Sequence, residues 1–300
     1  STLIMYWSQV RVLAGPPYCT MINFKDQIFN LKNIIIFSFD KKNFFKALTR
    51  SITFFYKLSI FIFKLFFINK KIEEFPSENK KLNEIFIHFG TDKGSHYFFN
   101  GIKYMGHRYD IFYEKYFQEN RNKSLNLLEF GIHHGDSLAA LSSYFPHAKL
   151  VGVDRNPFTT NYRSKKIRLL HCDVSSKKNL DNLSNYLDQD YDYILDDASH
   201  DPIHQKMTFF SMFKNLKSGG VFIIEEFNFF QVENDKENPE KNFLRNLLID
   251  FSKNSEKISK DKYDEKIMSF IKDIESVEIF KGDYFHQGIN ISEIAFIKKK

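Results

Sequence analysis

The sequence predicts an α/β fold built on a doubly wound, mostly parallel sheet. Three observations predict it. Strand-like apolar runs alternate with helical stretches from about residue 83 onward. The runs end in glycines or carboxylates, at the strand ends where an open parallel sheet collects its ligands. The segment ahead of residue 83 is different in kind, basic and rich in phenylalanine. At 300 residues, 43% hydrophobic and 27% charged, the chain can bury a sizeable core, which excludes a disordered chain, a collagen or a coiled-coil rod. Cys19 and Cys172 form no CxxC pair, which fits a reducing compartment.

Residues 1–20 lack lysine and hold the single tryptophan, Trp7, and the Pro16-Pro17 pair; after Met21 the chain turns rich in Phe, Ile, Lys and Asn. This break reads as an unstructured upstream extension, residues 1–20, before a start at Met21. Arg11 interrupts the short apolar run, which argues against a secretory leader. Residues 21–82 follow as a helical segment and linker. The net charge is +6, yet Lys41 to Ile72 holds eight Lys/Arg and no Asp/Glu, which leaves −2 for the rest. The body is therefore no nucleic-acid binder.

Ser51–Ile68 is apolar over nearly the length of a membrane span, but Lys57 and Lys64 lie inside it. A lysine at the bilayer centre costs roughly 2.5–3.5 kcal/mol. At ~100° per residue, Lys42, Lys46, Arg50, Thr53, Lys57, Lys64 and Lys71 share one narrow stripe. That pattern suits a helix lying on an anionic membrane surface. A helix buried against its own domain or a partner, and a true span, are the alternatives. Glu73–Asn83, with Pro76, reads as a linker, so the sheet domain is expected over 83–300.

The expected strands are Leu125–Phe130, Lys149–Asp154, Ile167–His171, Tyr191–Leu195 and Gly220–Ile224, then Ser276–Phe280 and Ser292–Ile297. Val232–Asn242 reads as a charged loop, and a charged helical stretch runs on to about Lys272.

The first of these strands ends in Glu129-Phe-Gly131-Ile-His-His-Gly135 before a helix from Asp136 to Tyr144. Glycines there let a turn pass close beneath a ligand. The second strand ends in Asp154, where a carboxylate accepts both ribose hydroxyls, and the third reaches Asp173. Glu129, Gly131, Gly135, Asp154, Asp173 and Asp196 are the candidate cofactor residues, and a nucleoside compound is the ligand they suit. E-x-G-x-x-x-G differs from the dinucleotide pattern G-x-G-x-x-G, and no G-x-x-x-x-G-K-[ST] occurs.

The fourth strand runs into Asp196-Asp197-Ala-Ser-His200, and the fifth into Glu225-Glu226. Carboxylates converging there with no Lys or Arg close in sequence would repel, and a hard divalent cation relieves that repulsion. His200, three residues after Asp197, is placed to act as a general base. The alternative is a helix cap at Asp196 or Asp197 and a histidine packed on a loop. His200 and His204 are four apart, but the HExxH glutamate is missing and Pro202 intervenes, which disfavours zinc. Tyr109, Tyr113 and Phe117, at helical spacing, read as core.

Strand, E-x-G-x-x-x-G, helix, strand, Asp resembles the class I S-adenosylmethionine-dependent methyltransferases, from about Asn83 to the C-terminus. The resemblance implies a Rossmann-like seven-stranded sheet whose last strand is antiparallel and inserted beside the fifth. GTDK at Gly90–Lys93, His107-x-Tyr109-x-x-x-Tyr113, E-F-G, D-D-x-S-H and the acidic pair together are similar to the metal-dependent macrolide-sugar O-methyltransferases. Cephalosporin hydroxylase-like proteins share part of this pattern. The resemblance implies S-adenosylmethionine and Mg²⁺ as cofactors, Asp197, Glu225 and Glu226 as metal ligands, and His200 as base, with Asp197 also counted as catalytic. That family commonly carries Glu-Asp where this chain has Glu225-Glu226. The first domain of the macrolide enzymes has no evident counterpart, so a macrolide is not implied.

The expectation is a bacterial O-methyltransferase acting on a sugar hydroxyl of a surface glycan or glycolipid precursor. It would be cytoplasmic, peripheral at the inner membrane face through residues 41–72. A soluble secondary metabolite as acceptor, or a non-catalytic adenosylmethionine-binding scaffold in a glycan assembly complex, are the alternatives. A homo-oligomer stays open.

Overall fold

The computed structural model describes residues 23–40, 44–67, 72, 75, 77–162, 164–187, 190–229, 239–253, 263–286 and 288–300. The expected extension, 1–20, lies outside the described residues, as does most of the expected loop at 232–242.

Seven strands form the main sheet: β3 (Asn126–Phe130), β4 (Lys149–Asp154), β5 (Ile167–His171), β6 (Tyr191–Asp196), β7 (Leu216–Ile224), β8 (Ile274–Lys281) and β11 (Glu293–Lys299). Their order is β5-β4-β3-β6-β7-β11-β8. The first five are mutually parallel, and β11 runs antiparallel to both β7 and β8. The last strand is thus inserted beside the fifth, as the resemblance implied. β7 begins at Leu216, earlier than expected, because Lys217-Ser218-Gly219-Gly220 is accommodated as a shift in its register with β6.

Because side chains alternate along a strand, the sheet has two apolar faces. Leu127, Leu150, Leu169, Leu195 and Ile223 bury on one side, against α3 (Leu82–Phe89), α4 (Asp110–Phe117) and α5 (Asp136–Tyr144). Leu128, Val151, Leu170, Ile194 and Phe222 bury on the other, against α6 (Lys177–Tyr186), α7 (Pro202–Met212) and α8 (Pro239–Lys253). A short helix α9 (Glu265–Ile271) leads into β8. Two hairpins stand apart from the sheet: β1 (His96–Phe99) with β2 (Ile102–Met105), and β9 (Phe285–His286) with β10 (Ile289–Asn290). The first turns through Asn100-Gly101, both at positive φ, the Asn-Gly pattern of a tight hairpin turn.

The N-terminal helices α1 (Phe24–Asp40) and α2 (Phe44–Phe67) change the expected domain picture. The β4–β5 connection carries only a 3₁₀ turn, Pro157–Thr159, instead of a crossover helix. β5 is the edge strand of the sheet, and α1 lies along it. The Asn30 carboxamide accepts from the His171 amide at 2.7 Å, and Asn33 donates to the His171 carbonyl at 3.1 Å. Asp26 pairs with Arg168 at 2.9 Å and accepts from the Tyr186 hydroxyl at 2.7 Å. Covering an edge in this way removes a template for pairing with another chain.

α2 buries Phe54, Leu58 and Phe61, the first and last against Phe158 of the 3₁₀ turn. Its outward face shows Leu48, Ile52, Tyr56 and Ile60, one row at a spacing of four, beside exposed Thr53 and Lys57. Arg50 is half-buried. Lys42 and Lys71, and the side chains of Lys46 and Lys64, lie outside the described residues. Among those residues no helix is long and apolar enough to cross a membrane. The expected linker is tied down where it is described: Arg121 donates to the Lys80 carbonyl at 2.8 Å, and Ser77 to that of Ser143 at 2.8 Å.

Replacing Asn30 by Ala strands buried backbone groups of β5. It should cost about 1–3 kcal/mol in urea unfolding, the range for an unsatisfied buried group. Truncation at residue 41 should leave β5 uncovered and produce aggregation, read by light scattering.

Candidate active site

The carboxyl ends of β3 to β6 surround a cavity of about 310 Å³. Gly131, Asp154 and Asp173, three of the candidate cofactor residues, line it together with Cys172, Ser175 and His204. Gly131 has φ 84°, and a Cβ there would overlap the carbonyl of Asp197. The β3 turn and the β6 turn therefore cross at van der Waals limit, a crossing that only glycine permits. Gly135, φ 83°, stands against Thr160 in the same way and opens α5.

Asp154 takes three backbone donors: Asn156 at 2.7 Å, Ile132 at 3.1 Å and His133 at 3.3 Å. Its carboxylate ties the glycine turn to the end of β4 while facing the cavity. Asp173 accepts from the Ser175 amide at 3.1 Å and hydroxyl at 2.6 Å. Glu129 and Asp196 are buried beneath, not among the lining residues. Burial raises each to about 7. Lys93 and the Ser137 hydroxyl partly offset that rise at Glu129.

The second half of the site lies across the β6 and β7 ends. Asp197, Glu225, Glu226 and His200 do converge: His200 Nε2 is 3.4 Å from Glu226 Oε2 and 3.9 Å from Asp197 Oδ1. His200 (φ 54°) and Glu226 (φ 47°) both sit in the left-handed region, a costly conformation that clusters at functional sites. Burial lowers His200 below the ordinary imidazole value, so its ring is neutral at pH 7. The helix-cap alternative goes to neither aspartate: Asp201 caps α7.

The cation in this cluster comes from the GTDK motif, to which the sequence pattern assigned no role beside the carboxylates. Lys93, from GTDK, is 1% exposed and places its ammonium between Asp197 Oδ2 and Glu225 Oε2, the latter at 2.6 Å. It gets there because Gly90 ends α3 at φ 83° and the following loop is strapped to residues 106–110. The straps are the His107 amide on the Asp92 carbonyl at 2.7 Å and the Asp110 amide on that of Lys93 at 3.2 Å. The β1–β2 hairpin is the excursion between the two halves of this clasp.

Tyr109, Tyr113 and Phe117 are buried as expected, but the two tyrosines also hold the site. Tyr113 donates to Glu225 Oε1, and Tyr109 accepts from the Glu226 amide at 3.2 Å. His107 Nε2 lies 3.3 Å from Glu226 Oε1, while its Nδ1 meets the Ser292 hydroxyl at 2.9 Å. Burial pushes His107 down to about 4. Glu226 is therefore flanked by two neutral rings, and burial together with Asp197 raises it to about 8.

As they stand, no three His, Cys, Asp or Glu side chains among the described residues are grouped as a metal site. The donors nonetheless suit a hard divalent cation: they are carboxyl oxygens, and the one ammonium of Lys93 is set against three acidic side chains, Asp197, Glu225 and Glu226.

No protein-family model matches the chain. It is 27% identical over 127 residues to mycinamicin VI 2''-O-methyltransferase of Micromonospora griseorubida, covering 40% of this chain and 31% of that protein. It is 29% identical over 129 residues to a tetracenomycin-rhamnosyl 3'-O-methyltransferase of Streptomyces olivaceus, covering 40% and 32%. The matched part thus spans about a third of these curated relatives. Among solved structures, MycE methyltransferase of the mycinamycin pathway, in complex with Mg, SAH and mycinamycin VI, superposes with a TM-score of 0.53 at 20% identity, over 74% of this chain and 55% of that one. With the strand order, these likenesses establish that the chain has the class I S-adenosylmethionine-dependent methyltransferase fold and is related in sequence to the sugar O-methyltransferases.

Proposed function

We propose that the protein is an S-adenosylmethionine-dependent O-methyltransferase that acts on a sugar hydroxyl with the help of Mg²⁺. One observation carries the reading: a nucleoside-sized cavity opens beside a neutral, carboxylate-flanked histidine, and one turn, Asp197–His200, serves both. Asp154 would hold the ribose hydroxyls, Asp173 and Ser175 the adenosine end, and Glu129 would neutralise the amino group. S-adenosylmethionine supplies an electrophilic methyl group and leaves as a neutral thioether.

Oxygen attack forms the O–CH₃ bond as the S–CH₃ bond breaks, and the hydroxyl proton must go to a base. His200 Nε2 takes it, and the carboxylates of Glu226 and Asp197 stabilise the imidazolium that results. Asp197, Glu225 and Glu226 would hold Mg²⁺, which supplies Lewis acidity that lowers the hydroxyl pKa. The reacting atoms need near-attack alignment, which the crossing at Gly131 supports by fixing the β3 and β6 turns against each other.

The acceptor is proposed to be a sugar of a surface glycan or glycolipid precursor met at an anionic membrane. The support is α2: anchored by Phe54, Leu58 and Phe61, it still shows an outward apolar row within a segment of wholly basic charge. The relatives methylate sugars of macrolide and tetracenomycin compounds by name, which keeps the sugar hydroxyl as the common element.

The reading is tested by S-adenosylhomocysteine release with a pool of glycan and nucleotide-sugar acceptors. Chelation should stop turnover and spare cofactor binding, and His200→Ala should slow it by ~10²–10⁴. Because His200 is lowered by burial, it loses its proton-accepting form only below the usual pH of about 6.5, so the acid limb of kcat/KM should fall under that pH. An His200→Ala enzyme as fast as wild type would sink the mechanism.

Asp154→Ala should weaken S-adenosylmethionine binding by ~1–3 kcal/mol in calorimetry, since it strands both ligand hydroxyls and the turn amides. Unchanged affinity would remove Asp154 from the ribose site.

The full chain should pellet with anionic liposomes and be partly released by salt, which screens over ~8 Å at physiological strength. Ile52→Glu with Tyr56→Glu, at exposed positions, should abolish pelleting without changing the melting temperature. Pelleting that survives both would place the contact elsewhere.

A further inference from the structure

The cluster at the β6 and β7 ends holds a permanent cation of its own, and its bonding is lopsided. Both oxygens of Glu225 are already engaged: Oε1 accepts from the Tyr113 hydroxyl and Oε2 from the Lys93 ammonium at 2.6 Å. Asp197 Oδ2 is likewise on Lys93, while Oδ1 faces His200 at 3.9 Å. Glu226 meets only the two imidazoles, at 3.3 and 3.4 Å. The free oxygens are therefore Asp197 Oδ1 and the Glu226 pair, two carboxylates instead of three. A divalent cation that drew on Glu225 would compete with the Tyr113 hydroxyl or the Lys93 ammonium, and one that drew on Asp197 and Glu225 together meets Lys93 as the competitor they share.

We infer that Lys93 is a tethered counter-ion that exchanges with the divalent cation at Asp197 and Glu225. In the metal-free protein its ammonium keeps the two carboxylates together; when the metal binds, the ammonium gives up those oxygens. The physical basis is charge. Two carboxylates buried at 3% and 21% side-chain exposure need a cation beside them; breaking such a buried pair leaves an uncompensated charge. A tethered ammonium supplies that cation at no loss of translational freedom, but with one unit of charge against two. The four-carbon stem of lysine lets it withdraw, which a guanidinium in a fixed fork does less readily. The exchange rests on the reading of these carboxylates as a divalent-cation site, and it predicts a cost: the metal must displace Lys93 before it gains Asp197 and Glu225 together.

The test uses the full chain free of cofactor, with Mn²⁺ followed by the paramagnetic resonance of the free ion and Mg²⁺ by calorimetry. Lys93→Met removes the charge at similar volume and should bind Mn²⁺ tighter than wild type by about tenfold or more. Lys93→Arg keeps the charge and should bind no tighter. Melting curves report that each variant is folded, and Mn²⁺ should raise the melting temperature of Lys93→Met more than that of wild type. In wild type, Mg²⁺ should increase acylation of Lys93 by a small amine-directed reagent, read by peptide mass spectrometry; a lysine that stayed between the two carboxylates, 1% exposed, would remain out of the reagent's reach. If wild type binds Mn²⁺ and Lys93→Met binds it equally or more weakly, or if Mg²⁺ leaves Lys93 acylation unchanged, the exchange is wrong and the metal site stands. If neither protein binds Mn²⁺ while both bind S-adenosylmethionine, the metal-site reading falls and the exchange falls with it.

Discussion

The buried ammonium of Lys93 is the contact on which the site's geometry depends. Two carboxylates brought together at the ends of β6 and β7 would repel each other, and burial, with the charge of Asp197, raises Glu225 well above the usual carboxylate range. Lys93 joins Asp197 to Glu225 and, through its own backbone, joins both to the clasp of residues 91–95 with 106–110. The same clasp delivers His107 to Glu226 and Tyr109 to the Glu226 amide. One ion-paired lysine thus organises four elements that are distant in sequence. Its charge also sets the site's electrostatic balance, because the nearby imidazoles are neutral and leave it as the site's fixed cation.

The cofactor side is held by a steric constraint instead. Gly131 lets the β3 turn lie against the Asp197 carbonyl, and Asp154 fastens that turn to β4 through three amides. The acidic residue is therefore structural and ligand-facing at once.

Beyond the site, α1 answers a need set by the order of the strands. β5 is the edge of the sheet, and Asn30 and Asn33 of α1 satisfy its His171 amide and carbonyl. That is why Asn30 and Asn33 are buried, while Asp26 is buried in its pairing with Arg168 and Tyr186. α2 then rests on the 3₁₀ turn and turns its other face outward.

The sequence by itself determined the sheet and the strand-end chemistry. The seven strands follow from local hydrophobic runs, and Gly131, Asp154, Asp173, Asp197, His200 and Glu225-Glu226 fall at their carboxyl ends because an α/β sheet places strand ends on one rim. Those are local patterns, readable one segment at a time. Lys93, His107 and the tyrosines lay inside the family-like motifs, but their partners were not readable, since 104 residues separate Lys93 from Asp197 and 132 separate it from Glu225. The Asn100-Gly101 turn was a legible signal for the hairpin that brackets the clasp, flanked as it is by aromatic residues. Which carboxylate oxygens are already spent, and on which cation, depends on side chains from four elements meeting in one desolvated volume. Only the tertiary structure decides that, as it decides that α1 belongs to the sheet: edge-strand amides have no signature in the sequence until the order of the strands leaves them bare.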